Sequence, residues 1–143
     1  MDVYFSNSRE ETVEIGKKLA ETLSGGEVVA FRGELGSGKT CFTSGIAEGL
    51  GFTGDVTSPT FALINEYIGG RLSLYHFDMY RIESWDDLYS SGFFEYADMG
   101  GVVAVEWSEN IENALPDNTV YVDFCKTGDE SRKITIFHKG EII

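Results

Sequence analysis

The stretch Gly33-Glu34-Leu35-Gly36-Ser37-Gly38-Lys39-Thr40 matches G-x-x-x-x-G-K-[ST]. Its glycines let the backbone wrap so that several N–H groups point at one anion. A helix starting near Lys39 would add its dipole at the same point. Lys39 brings a mobile charge for the β- and γ-phosphates, and the Thr40 hydroxyl is a ligand for Mg²⁺. This is the chemistry of a nucleoside triphosphate held by its phosphates. Glu34, Leu35, Gly36, Ser37, Gly38, Lys39, Thr40 and Cys41 are therefore the candidate nucleotide contacts. The N-K-x-D pattern of a guanine site is absent from the sequence. Asp98-Met99-Gly100-Gly101 matches the short D-x-x-G of GTPases but ends no apolar strand, so it reads as a turn. ATP is the expected nucleotide.

A phosphate cradle of this kind needs an acid at the end of a neighbouring strand to hold Mg²⁺, directly or through water. Two residues qualify. Glu106 follows the apolar run Val102-Val103-Ala104-Val105, and Asp78 ends the strand candidate in Tyr75-His76-Phe77-Asp78. Position alone favours Glu106 as the metal carboxylate, leaving Asp78 to polarise a water or join the metal's outer shell. His76 lies two residues before Asp78, on the same face of an ideal strand, as a core or supporting histidine. Trp107 either stacks near the nucleotide or simply packs. Ser58-Pro59-Thr60-Phe61 lies where many such proteins sense the γ-phosphate.

The elements that must position these residues are legible along the chain. Ser8 followed by Glu11 fits a capping box, and Thr12, Ile15, Gly16, Leu19, Ala20 and Leu23 recur at helical spacing. Ser24-Gly25-Gly26 stops that helix. Glu27 to Arg32 reads as a buried strand leading into the cradle, and Lys39 to Leu50 as the helix that leaves it. Phe61 to Ile68 and Leu72 to Phe77 form a hairpin around Gly69-Gly70. Ser84 to Ser90 predicts a short helix, Val102 to Val105 a strand, and Ser108 to Leu115 a helix ended by Pro116. Val120 to Phe124 and Ile134 to Phe137 pair around Thr127-Gly128-Asp129. The expectation is one α/β P-loop NTPase-like domain over residues 1–143, with a mixed sheet: a parallel core, antiparallel hairpins, and flanking helices.

Composition limits the partners. The 143 residues are 42% hydrophobic, enough for a core without disulfides or zinc. The formal net charge of −13 makes direct binding to nucleic acid or an anionic membrane unfavourable. If RNA is involved, a partner protein is expected to hold it. Cys41 and Cys125 show no metal-ligand spacing and read as reduced thiols. The first residues show no signal-peptide pattern and no apolar run reaches membrane-span length, so the expected location is the cytoplasm.

Taken in order, GELGSGKT, SPTFALINEY, YHFDMYR and VEWSENI resemble the bacterial TsaE (YjeE) family. These are small P-loop ATPases needed to make N6-threonylcarbamoyladenosine in tRNA. The resemblance runs from the first helix to the last hairpin. It implies a weak Mg²⁺-dependent ATPase acting with two partner proteins of the pathway, TsaB- and TsaD-like, which carry out the carbamoyl-transfer chemistry. It further implies that Thr40 and Glu106 bind Mg²⁺ and that Asp78 supports hydrolysis. Thr60 would lie in a switch-like loop, Trp107 near the nucleotide, Ser8 near the base, and Arg132 would be the basic residue of the last hairpin. Asp86 to Gly92 departs from a Glu-Leu-rich helix more usual in relatives, which touches packing only.

Two other functions fit a P-loop. A small-molecule kinase would need cationic lid residues, yet Arg9, Arg32, Arg71, Arg81 and Arg132 are scattered. A non-hydrolysing switch would bind a partner differently in its two nucleotide states.

Overall fold

The computed structural model describes residues 1–33, 38–54 and 64–141. Among them one seven-stranded sheet runs in the order β1-β7-β6-β2-β5-β4-β3. The strands are β1 (Asp2–Ser6), β2 (Val28–Arg32), β3 (Ile64–Tyr67), β4 (Leu74–Asp78), β5 (Val102–Glu106), β6 (Val120–Lys126) and β7 (Arg132–His138). β2 lies parallel to both β5 and β6, and β5 is also parallel to β4. β3 pairs antiparallel with β4, β7 with β6, and β1 with β7. The parallel core and antiparallel margins are those expected from the sequence, and the cradle's strand is central.

Strand alternation divides the core into two layers. Val29 and Phe31 of β2, Val102 and Ala104 of β5, and Val122 and Phe124 of β6 face α1 (Arg9–Glu21) and α2 (Lys39–Gly49). Val28, Ala30, Val103, Val105 and Tyr121 face the other way. There they meet Leu88 of α3 (Trp85–Ser90), Phe93 of α4 (Phe93–Ala97), and Ile111 of a 3₁₀ segment (Ser108–Ala114). The β6 residues Val120 to Lys126 and the β7 residues Arg132 to His138 extend beyond the expected pair. The turn read at Asp98-Met99-Gly100-Gly101 is a turn, with Asp98 closing α4.

Three elements differ from expectation. β1 was not anticipated, because Val3 (44% exposed) and Phe5 (68%) face outward while only Tyr4 packs on the core and Ser6 is buried. Backbone pairing with β7, together with Tyr4 against the core, holds it in place. α4 is a short helix that starts after Gly92, whose φ of 85° places it in the left-handed region. Residues 108–114 form a 3₁₀ segment rather than an α-helix, interrupted at Ile111 (φ −128°, ψ 25°). The start of the expected strand at 61–63 lies outside the described residues.

α1 and α2 pack unusually close. A Cβ on Gly45 would lie 2.1 Å from the Val13 carbonyl oxygen, and one on Gly16 would lie 2.4 Å from that of Phe42. Only glycine allows the two backbones this approach, which brings the N-termini of both helices to the same end of the sheet.

Candidate functional site

α2 begins differently from α1 and α3, and unlike the glycine-capped α4 it has no acid in its first turn. α1 and α3 start with serine caps: Ser8 Oγ accepts from the Glu11 N–H at 3.1 Å, and Ser84 Oγ from the Asp87 N–H at 3.1 Å. Both also carry acids in the first turn. α2 has neither. Its N-cap is Gly38, at φ 101°, with no side-chain cap and no acid in the first turn. Its opening N–H groups thus keep their partial positive charge for an anion.

A cavity of about 400 Å³ opens at this helix start, lined by Gly38, Lys39, Thr40, Cys41, Glu106 and, from the far side, Ser8, Arg9, Thr12, Asp129, Glu130 and Arg132. In a chain of net charge −13, three cations (Arg9, Lys39 and Arg132) meet here, beside three acids. The Lys39 Nζ donates to the Gly33 carbonyl at 2.7 Å, which keeps the ammonium within its own loop. The Arg9 guanidinium lies against the Cys41 thiol, a contact that strengthens its hold on its proton.

The far wall is built by β1. The pairing of Ser6 with Arg132 brings the chain entering α1 beside the β6–β7 turn. Ser6 Oγ and Thr12 Oγ1 lie 2.7 Å apart, and Ser131 Oγ donates to Asn7 Oδ1 at 3.4 Å. Arg132 Nη1 donates to the carbonyls of Gly128, Asp129 and Ser131 at 3.2, 3.2 and 2.9 Å, gathering the turn around its own side chain. Arg9, Thr12, Asp129 and Glu130 were not expected at the site. The unrecognised strand β1 is the reason, since no local pattern joins residue 9 to residue 129.

The acids arrive from β4 and β5. Asp78 and Glu106 are register partners in parallel strands. Alternation turns both toward the α1–α2 face, the side from which α2 presents Lys39 and Thr40. Glu106 lines the cavity; Asp78 stands on the adjacent strand and is not among its lining residues. Asp78 Oδ1 accepts from the Tyr80 N–H at 2.9 Å. Burial pushes the Glu106 carboxyl up, but the contact with His76, the charge there and that of Lys39 outweigh it and hold the group below the usual carboxylate range. Glu106 is therefore anionic at neutral pH. Its Oε2 lies 2.8 Å from His76 Nε2, off the axis of a straight hydrogen bond.

Trp107 is the one non-glycine residue with positive φ (59°) among the described residues. The turn is held by Ser108 Oγ, which donates to the Phe31 carbonyl at 3.1 Å. Asn110 Nδ2 adds a donor to the Met79 carbonyl at 2.9 Å. The Trp107 ring meets the Tyr80 ring edge-on at 4.9 Å and does not line the cavity. Trp107 remains 43% exposed directly after Glu106, and both readings stay open for it. Glu34, Leu35, Gly36, Ser37 and Thr60 lie outside the described residues.

The donor set suits Mg²⁺. Thr40 and Glu106 offer hard oxygens, with Asp78 beside them. Among the described residues no three His, Cys, Asp or Glu form a ready-made cage. Mg²⁺ is held by just such sparse protein ligands when phosphates and water supply the rest.

Residues 6–134 match the sequence profile of the threonylcarbamoyl adenosine biosynthesis protein TsaE. The chain belongs to the TsaE family. It is 46% identical over 131 residues to the tRNA threonylcarbamoyladenosine biosynthesis protein TsaE of Bacillus subtilis, covering 92% of this chain and 82% of the relative. It is 40% identical to the TsaE of Treponema pallidum, covering 92% and 96%. A crystal structure of Bacillus subtilis YdiB superposes with a TM-score of 0.80 at 39% identity, over 97% of this chain and 86% of that one. The α/β architecture with its mixed sheet is thus shared with a solved relative. No helix among the described residues is long and apolar enough to cross a membrane.

Proposed function

We propose that this TsaE-family chain is a Mg²⁺-dependent ATPase. Its role is the nucleotide-driven step of tRNA N6-threonylcarbamoyladenosine synthesis, performed with TsaB- and TsaD-like partner proteins in the cytoplasm. One observation carries the ATPase reading. An uncapped, acid-free helix start, Lys39 and the anionic Glu106 converge on one cavity.

The residues divide the work. The first-turn N–H groups of α2 and the Lys39 ammonium bind the phosphate oxygens, Lys39 exchanging the Gly33 carbonyl for the β- and γ-phosphates. Thr40 and Glu106 would hold Mg²⁺, with Asp78 as the second carboxylate; bound there, the ion neutralises charge on the phosphates. Asp78, anchored by the Tyr80 N–H, accepts a hydrogen bond from the attacking water and orients it. Ser8, Arg9 and the Arg132 turn form the wall on the nucleoside side. Turnover alone is expected to be slow, with the partners stimulating it.

The test is ATP hydrolysis and binding of a fluorescent ATP analogue, alone and with the two partners. Lys39→Ala is expected to weaken binding about 100-fold. Glu106→Gln and Asp78→Asn are expected to lower turnover by roughly 10- to 100-fold while binding changes only a few-fold. Normal hydrolysis by both acid variants would overturn the assignment. ATP loss that strictly requires an added acceptor would point to a kinase instead.

A further inference from the structure

His76 is the inner residue of the site that neither the cavity nor the proposed chemistry uses. It is 0% exposed, in the middle of β4, with its Cα opposite Ala104 of β5 and Asn65 of β3. Its ring meets the edge of Phe31 at 6.2 Å, inside the apolar layer beneath α1 and α2. An imidazole in such a place costs several kcal/mol of desolvation unless its nitrogens are engaged, and an aliphatic residue would pack there without that cost. Nδ1 has no hydrogen-bond partner among the described residues. Nε2 lies 2.8 Å from Glu106 Oε2, close enough for a charge-assisted contact though off the axis of a straight hydrogen bond. The polarity of this buried ring therefore serves Glu106.

We propose that His76 is a positioning residue: from beneath the sheet's end it holds one oxygen of Glu106, so that the carboxylate presents a single orientation toward Thr40 and Lys39. The register supports the arrangement. His76 lies two residues before Asp78, and Asp78 is the partner of Glu106, so the imidazole sits one step inward from the acid pair on the same face. A carboxylate at a strand end otherwise samples several rotamers, and fixing it in advance removes that entropy from metal binding. This inference rests on the reading of Glu106 as a metal carboxylate.

The test is binding of Mn²⁺, as a paramagnetic stand-in for Mg²⁺, to the protein–ADP complex by electron paramagnetic resonance. ADP affinity without divalent metal serves as the check on folding. Glu106→Gln is expected to weaken Mn²⁺ binding strongly. His76→Phe is expected to weaken it about 10-fold or more, with metal-free ADP affinity unchanged. His76→Gln, whose amide can donate to the same carboxylate, is expected to recover most of the loss. His76→Leu, expected to lose as much as His76→Phe, takes the place of the Phe variant if the larger ring does not fold. Adding either His76 change to Glu106→Gln is expected to cost nothing further, which a merely structural role would not produce. Mn²⁺ affinity lost in Glu106→Gln but kept in both His76 variants overturns the proposal alone. Affinity kept in Glu106→Gln overturns the metal assignment and the proposal with it.

Discussion

Two side chains on the face of the sheet opposite α1 and α2 show how single residues set charge in this fold. Arg32, the last residue of β2, grips Asp123 with Nε to Oδ1 at 2.6 Å and Nη2 to Oδ2 at 2.8 Å. Its guanidinium also lies 5.1 Å from the centre of the Tyr121 ring, which stacks on Phe137. The Tyr121 hydroxyl donates to Glu112 Oε1 at 2.7 Å. Burial first, then this bond and the Glu112 charge, push the Tyr121 phenol up to about 12, with Arg32 opposing. A raised folded-state pKa favours the protonated form. The resulting stability is complete below the ordinary phenol value of about 10. It is lost as pH rises through about 12. Denaturant unfolding of the wild-type protein is expected to lose stability across that alkaline window more steeply than Tyr121→Phe does. Near pH 8 the variant is expected to be less stable by on the order of 1 kcal/mol, the value of one hydrogen bond to a charged acceptor.

Between elements, the decisive contact is that of α1 with α2. Gly16 and Gly45 face the other helix's backbone, and Gly49 faces Lys17 and Ala20, so the helix starts that carry Ser8 and Lys39 are set by contacts one to three turns away. Gly45→Ala would put a methyl 2.1 Å from the Val13 carbonyl oxygen, a clash with backbone that no rotamer change relieves. The variant is expected to lose about 2 kcal/mol or more in chemical denaturation. It is also expected to bind the ATP analogue more weakly, because α2 must shift against the wall formed by Arg9 and Arg132. Unchanged nucleotide affinity in a destabilised Gly45→Ala protein would mean that the cavity does not depend on this packing. The 3₁₀ segment makes the same point for the acids: Ser108 and Asn110 tie it to Phe31 and Met79, and so brace the ends of β2, β4 and β5.

For the whole molecule, charge matters more than any one pair. A net charge of −13 on 143 residues repels itself in the folded state. Raising salt from about 10 mM to about 150 mM shortens the screening length from roughly 30 Å to roughly 8 Å. The melting temperature is therefore expected to rise over that range, measured by calorimetry. A flat or falling melting curve would show that local ion pairs such as Arg32–Asp123 outweigh the general repulsion. If the partner's docking face is basic, association is expected to slow as salt rises.

The strand β2 and the helix α2 were legible because each is a local pattern, an apolar run and a helical repeat between Glu27 and Leu50, while residues 34–37 of the glycine-spaced loop joining them lie outside the described residues. The strand-end acids Asp78 and Glu106 were legible for the same reason, as polar residues closing apolar runs. The sequence alone therefore determined the fold class and carried the motif on which the proposed phosphate chemistry rests. Tertiary structure decided what surrounds it. Long-range pairing of β1 with β7, in a strand where Val3 and Phe5 point outward, brought Arg9 to Asp129, Glu130 and Arg132. Parallel pairing of β4 with β5 put His76 under Glu106. Neither could be read in advance, because hydrophobic periodicity reports which face of an element is buried and not which distant element it is buried against.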